Sequence, residues 1–184
     1  MHYNVEPLRT TKEIEDFLFV ASQTRYGQRN RLIILIGMNT GLRMSDILAL
    51  NVGMVRDVDR TRITERKTGK YRWLYLKNIR QDIHDYCKGK EDQIPLFIGA
   101  RGNRLTVNGV YRIFQRVGYK LNRTDIGTHT LRKTFGYHYY QQTHDIASLM
   151  VIFNHSSEAI TKRYIGINRD IIEMKLENFK LGLK

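Results

Sequence analysis

The sequence predicts a mainly α-helical domain with one small antiparallel β-sheet. Three observations lead there. Apolar residues recur at helical intervals through most of the 184 positions. One segment, residues 61–76, is instead dense in β-branched and aromatic residues around a Thr68-Gly69 turn signal. Prolines interrupt the chain only at Pro7 and Pro95. With no repeat, low-complexity tract or linker, and 41% apolar residues, a chain of this length can bury a core of its own.

Each element follows from a local pattern. Thr10 and Glu13 stand at capping-box spacing ahead of Ile14, Phe17, Leu18 and Ala21, which predicts an amphipathic helix over about 11–24. Leu32 to Met38 is apolar on nearly all sides and stops near Gly41, the pattern of a buried central helix closed by a left-handed cap. A short helix bearing Ile47, Leu48 and Leu50 follows. Residues 61–67 and 70–76 read as the two strands of a hairpin, with Lys67 beside its turn and Trp73 and Tyr75 as packing residues. Ile79, Ile83 and Tyr86 mark the next helix, on which Cys87 is expected to be buried and inert. The apolar run Ile94 to Ile98 fits a strand or a loop equally well. Thr106 caps a helix carrying Val107, Val110, Tyr111, Phe114 and Val117. Further helices are predicted over about 129–141, 146–153 and 157–166. A last helix from Asp170 places Ile172, Leu176 and Phe179 on one stripe, which either folds back on its own domain or docks on a neighbour.

Charge narrows the function. Lys plus Arg number 31 against 18 for Asp plus Glu, a formal charge of +13. Residues 56–80 hold nine basic and three acidic side chains and residues 101–133 hold eight and one, while the remainder of the chain is balanced. Because an exposed field of one sign costs self-repulsion, two concentrated basic blocks point to a polyanion-binding surface, with a merely solubilising surface as the plainer alternative. A single cysteine cannot form an internal disulfide, and polar residues rather than an apolar signal region follow Met1, which points to the cytoplasm. No uncharged run approaches the roughly 20 apolar residues of a membrane helix.

Candidate chemistry lies in four short segments. Thr40-Gly41-Leu42-Arg43-Met44-Ser45-Asp46 sets an arginine at a helix start directly after a glycine stop. Lys67-Thr68-Gly69 marks the hairpin turn. His129-Thr130-Leu131-Arg132 puts two cationic residues three apart, on one face of a helix. Asn154-His155-Ser156-Ser157 joins two helices, with Thr161 and Tyr164 further on. Taken singly, each has a bland account: Arg43 as a surface residue, Tyr164 as a half-buried packing tyrosine. In this order, Arg43, Lys67, His129, Arg132, His155 and Tyr164 resemble the catalytic domain of the tyrosine recombinases, or phage-integrase family, over about residues 10–175. Two positions depart from the family pattern. Asn154 stands where glycine is usual and Asp46 where glutamate is commoner; Asn tolerates the left-handed conformation and Asp keeps the carboxylate.

The resemblance implies the tyrosine-recombinase catalytic-domain fold, with residues 1–184 forming a single catalytic domain and the family's usual N-terminal DNA-clamping domain absent from this chain. It further implies site-specific DNA recombination through a 3′-phosphotyrosine on Tyr164, in the integration or excision of a bacterial or phage-borne mobile element. The implied partners are double-stranded DNA, further protomers in a synaptic tetramer on paired sites, and an accessory directionality factor; residues 170–184 dock on the adjacent protomer. Elementary chemistry agrees. Two guanidiniums, Arg43 and Arg132, suit the equatorial oxygens of a phosphodiester in flight. A tyrosine hydroxyl, with a pKa near 10, needs a cationic field or a base to become a nucleophile. Lys67, on a hairpin tip, can protonate the leaving sugar oxygen. In the roles the resemblance implies, His155 hydrogen-bonds a phosphoryl oxygen, His129 accepts a proton beside the nucleophile, and Asp46 supports the set from behind.

No cofactor and no metal are expected. The sequence has no His-Glu-x-x-His, no cysteine pair and no carboxylate cluster in the basic blocks, and no Gly-rich loop ends in Gly-Lys-Ser/Thr. A phosphotyrosine retains the bond energy of the phosphodiester it replaces, so religation needs no nucleotide. His2, His84, His138 and His144 read as surface or packing histidines, and Tyr137, Tyr139 and Tyr140, on the helix of Arg132, as poor rivals to Tyr164. Two other readings compete: a type IB topoisomerase-like nicking-closing enzyme, and a basic DNA-binding module with a vestigial site, against which the presence of all six residues argues.

Overall fold

The computed structural model describes residues 5–177 and 179–182, so His2 and residues 178, 183 and 184 of the terminal segment lie outside it. Among the described residues, the chain forms ten α-helices and a two-stranded antiparallel sheet.

Helix α1, Thr11–Ser22, opens with the expected capping box: the Glu13 amide donates to the Thr10 hydroxyl at 3.1 Å and the Thr10 amide to the Glu13 carboxylate at 2.9 Å. It buries Phe17 edge-on against Phe114, ring centres 5.3 Å apart. Helix α2, Gly27–Thr40, starts earlier than its apolar run suggests. The extra turn buries Arg29 and Asn30, which satisfy each other: the Arg29 guanidinium donates to Asn30 Oδ1 and to the Ile98 carbonyl at 2.7 Å while lying over the Tyr26 ring. Gly41 caps α2 at φ 60°, and the ring of Phe135 fills the space a side chain at Gly41 would need.

Short helices α3 (Met44–Ile47) and α4 (Val52–Val55) lead to the hairpin, β1 (Arg60–Thr64) and β2 (Tyr71–Tyr75), in register Arg60 to Tyr75 and Thr64 to Tyr71. The strands are shorter than the predicted 61–67 and 70–76. Residues 65–70 form the connection instead, closed by the Glu65 amide to the Lys70 carbonyl at 2.9 Å and the Gly69 amide to the Glu65 carbonyl at 2.8 Å. The expectation for Trp73 and Tyr75 also needs correction. The inward face of β2 carries Arg72 and Leu74, while Trp73 and Tyr75 are 49% and 69% exposed. Arg60 stacks on Trp73 and Arg62 on Tyr71 along that open face.

Helix α5 (Arg80–Cys87) buries Cys87, whose thiol burial pushes up. The run Ile94 to Ile98 is a loop touching the rest of the chain through isolated bridges, Asn51 with Pro95 and Ile98 with Arg104, and it buries Leu96 and Phe97. Helix α6 (Val107–Lys120) is capped by Thr106, as expected. Then follow α7 (Thr130–Thr143), α8 (Ile146–Phe153), α9 (Glu158–Ile165) and α10 (Ile167–Glu177).

Two hydrophobic clusters result. The larger is built by α1 to α6, the hairpin and Leu131; the smaller joins Ile146, Leu149, Phe153, Ile165 and Ile167 with the aromatic face of α7. Helix α7 stands between them. A side chain at Gly37 on α2 would strike Leu131 of α7, and one at Gly136 would strike Phe153 and Ile165, so the two glycines let helices approach on both sides of α7. Helix α10 begins at Ile167, three residues before the predicted Asp170, because Gly166 at φ 82° closes α9 and releases the chain at once into the next helix. Its residues Ile172 and Leu176 are more than half exposed, and Phe179, expected on the same helical stripe, lies beyond the helix end at Glu177 and is exposed as well.

Candidate active site

Most of the predicted site residues lie at or near the ends of helices or on the hairpin connection, and charge interactions link His129, His155 and Tyr164 to Arg132 and Arg43. Arg43 is the N-cap of α3, immediately after the left-handed turn at Gly41. His129 is the N-cap of α7 rather than a residue within it, and Arg132 lies in the first turn of that helix. His155 follows Asn154, which adopts φ 54° at the C-cap of α8; the asparagine thus occupies the left-handed position expected of it. Ser157 caps α9, and Tyr164 lies near that helix's end. Lys67 is exposed on the hairpin connection.

Arg132 is held from behind. It is 3% exposed, donates to the Gly41 carbonyl at 2.5 Å and to the Phe153 carbonyl at 3.1 Å, and stacks on the Phe153 ring. Both carbonyls end helices and carry partial negative charge, so a cation suits the position. Burial lowers its pKa to about 10, which leaves the guanidinium charged at neutral pH. Arg43 pairs with Glu65 at 2.8 Å, and Arg72 faces the same carboxylate at 3.6 Å.

The Tyr164 hydroxyl lies 3.0 Å from His129 Nδ1. Its ring packs edge-on against His155 and Phe153, with ring centres 5.2 Å and 5.5 Å away, and the Lys133 ammonium sits over it at 5.4 Å. Burial raises the phenol's pKa; the charges of Arg132 and Arg43 pull the other way without cancelling it, so Tyr164 is a protonated phenol in this state. His129 is depressed by burial first, then by Arg132, Lys133, Arg43 and Lys67, and is therefore a neutral ring able to accept a proton at pH 7. His155 is depressed by burial and by the same two arginines, and its Nδ1 lies 3.1 Å from the Thr161 hydroxyl.

The Asp46 carboxylate makes no ion pair with Arg43, although the Asp46 amide donates to the Arg43 carbonyl at 2.9 Å. Asp46 is 2% exposed, and its Oδ1 accepts the Arg66 amide at 2.9 Å, which ties the hairpin connection to α3. Three residues went unread in the sequence: Glu65, Arg72 and Lys133. A signal for the first two existed, since Glu65 continues the inward face of Ile63 on β1 and Arg72 shares the inward face of Leu74 on β2. Opposite charges facing inward across a hairpin announce a buried ion pair. Among the described residues, the remaining histidines have structural roles: His84 pairs with Asp57 at 2.7 Å, His138 with the Leu8 carbonyl at 2.9 Å, and His144 is the left-handed cap of α7. Among the described residues no cluster of His, Cys, Asp and Glu is arranged to hold a metal ion, and no helix is long and apolar enough to cross a membrane.

The sequence and the fold both have counterparts among known proteins. The chain is 40% identical over 169 residues to the probable integrase/recombinase YoeC of Bacillus subtilis, a match spanning 90% of this chain and 92% of that protein. Its fold superimposes with a TM-score of 0.67 on the XerH site-specific recombinase bound to difH substrate in a pre-cleavage complex, at 25% identity, covering 88% of this chain and 50% of that one. The catalytic domain of bacteriophage HP1 integrase matches with a TM-score of 0.62 at 24% identity, over 87% of this chain and 86% of that domain. The chain thus spans nearly all of the first and third and half of the second. Residues 9–170 match the profile of the phage integrase family, and the chain belongs to that family of tyrosine recombinases.

Proposed function

We propose that this chain cleaves and rejoins DNA strands at specific sites through a transient 3′-phosphotyrosine on Tyr164. One observation carries the reading: the Tyr164 hydroxyl hydrogen-bonds a neutral imidazole, His129, within the positive field of Arg132 and Arg43. A DNA phosphate seated there meets two guanidiniums able to neutralise its non-bridging oxygens, with His155 as a further donor. As Tyr164 Oη bonds to phosphorus, its proton passes to His129 Nδ1. The bond from phosphorus to the 5′ oxygen breaks, and that oxygen takes a proton from Lys67. Religation reverses each step with the 5′-hydroxyl of the incoming strand as nucleophile, so bond energy is conserved and no cofactor is consumed. The names of YoeC, a probable integrase/recombinase, and of XerH, a site-specific recombinase bound to its difH substrate, support site-specific recombination as the purpose; the integration or excision of a mobile element is the setting proposed for it.

The reading is tested on a nicked suicide duplex, from which the short leaving strand diffuses away and traps the intermediate. A covalent DNA–protein adduct is expected in the presence of EDTA. A chemical step that needs Mg²⁺ would contradict the account.

Assembly separates recombination from topoisomerase-like nicking and closing. Exposed apolar side chains such as Ile172 and Leu176 on α10, with Phe179 beyond its end, are normally covered, and in this reading they dock on an adjacent protomer, coupling cleavage to the presence of a partner strand. An apolar groove of about 870 Å³ between β2 and α8, walled by Trp73, Phe135, Tyr139, Met150 and Val151, is a surface able to receive them. Deleting residues 170–184 is expected to weaken cooperative assembly on paired sites more than binding to one half-site, as read by gel shift. Equal loss of both, with a lower melting temperature, would assign the helix to its own domain.

A further inference from the structure

Glu65 belongs to none of the motifs that identify the family, yet it touches two parts of the site at once. It is 4% exposed, at the first position after β1. Its Oε2 accepts the Arg43 guanidinium at 2.8 Å and also the Thr68 hydroxyl at 2.9 Å, while its Oε1 faces Arg72 at 3.6 Å. Its own amide and carbonyl close the hairpin connection by pairing with Lys70 and Gly69. A carboxylate needed only to neutralise buried arginines could do so from any side. Here a single oxygen joins the clamp arginine to the residue that follows Lys67.

We propose that Glu65 is a positioning residue that fixes the Lys67 turn relative to the Arg43 clamp, so that the proton donor and the phosphate-binding guanidinium act on the same phosphodiester. The proposal rests on the reading of Lys67 as the acid for the leaving oxygen. Asp46 assists from the far side through the Arg66 amide, so the backbone on both sides of Lys67 is anchored while its side chain stays exposed. Burial alone would raise the Glu65 carboxyl, but the hydrogen bonds from Arg43 and Thr68 and the charges of Arg43 and Arg72 outweigh it and hold it below the usual carboxylate range. The group is therefore an anion throughout the neutral range, and both of its hydrogen bonds are charge-assisted.

The test uses two suicide duplexes, one ordinary and one with sulfur in place of the bridging 5′ oxygen at the scissile phosphate. A thiolate leaves without needing a proton, so the sulfur duplex bypasses whatever Lys67 supplies. Lys67→Ala calibrates it: cleavage of the ordinary duplex falls and the sulfur duplex restores it. Thr68→Val, which removes one hydroxyl from the rim of the site, should slow the ordinary duplex by about tenfold, the scale of one charge-assisted hydrogen bond, and leave half-site binding unchanged, with a melting temperature lower by a few degrees for the hydrogen bond lost to Glu65. On the sulfur duplex it should cleave like the unaltered protein. Glu65→Gln also loosens Arg43, so it should fall further and be restored only in part. If Lys67→Ala is not restored, the assignment of Lys67 as the acid is wrong, and this proposal falls with it. If Lys67→Ala is restored but Thr68→Val is equally slow on both duplexes, or slow on neither, Glu65 does not position the turn.

Discussion

Tyr164→Phe abolishes covalent attachment to a nicked suicide duplex and leaves half-site binding nearly intact. The change removes one oxygen and keeps the ring that packs against His155 and Phe153, so the cleft should retain its shape. The lost hydrogen bond to His129 is expected to cost about 1 kcal/mol of stability or less, because His129 can turn to solvent. Adduct yield on a denaturing gel, beside binding measured on the same duplex, separates the two effects. An adduct formed at an undiminished rate by the phenylalanine variant would show that another residue is the nucleophile.

Arg132→Ala carries the second large effect. Loss of a preorganised donor aimed at transition-state charge costs a factor of about 100 to 1,000 in rate. Arg132 should also show a structural cost, since its guanidinium satisfies the carbonyls of Gly41 and Phe153, and without it both end helices inside the protein with no donor. Leaving buried acceptors unpaired costs about 1 to 3 kcal/mol, which for a domain of this size lowers the melting temperature by several degrees. Arg43→Ala should lose cleavage on the same scale. It should destabilise less, because Arg72 remains to pair with Glu65. Cleavage at the unaltered rate by either variant would remove that arginine from the clamp.

What could be read from the sequence and what could not divides along a physical line. Arg43, His129, His155 and Tyr164 are positioned by local signals, namely the left-handed stops at Gly41 and Asn154, the first turn of α7 and the serine cap of α9. Such signals are written in neighbouring residues, so these positions are legible from the order of motifs alone. The start of α2 was hidden because Arg29 and Asn30 break the apolar pattern, and their burial depends on Ile98, far along the chain. The hairpin was recognisable, but its length was not: Glu65 leaves β1 because Arg43 holds it, a contact between residues 22 apart. The exposed setting of Trp73 and Tyr75 was misread for a related reason, since alternation says that two faces differ without saying which one is covered.

The central claim is that Tyr164, among the tyrosines lining or adjoining the cleft, becomes bonded to DNA. It is tested most directly by trapping the adduct in EDTA, trimming the DNA with nuclease and locating the remaining nucleotide by mass spectrometry of the tryptic peptides. Cleavage after Arg163 and Arg169 isolates Tyr164 on a short peptide, residues 164–169, whereas Tyr137, Tyr139 and Tyr140 fall together on residues 134–162. The account predicts the nucleotide mass on peptide 164–169. A nucleotide on peptide 134–162, or no covalent product from a duplex the protein demonstrably cuts, would contradict it.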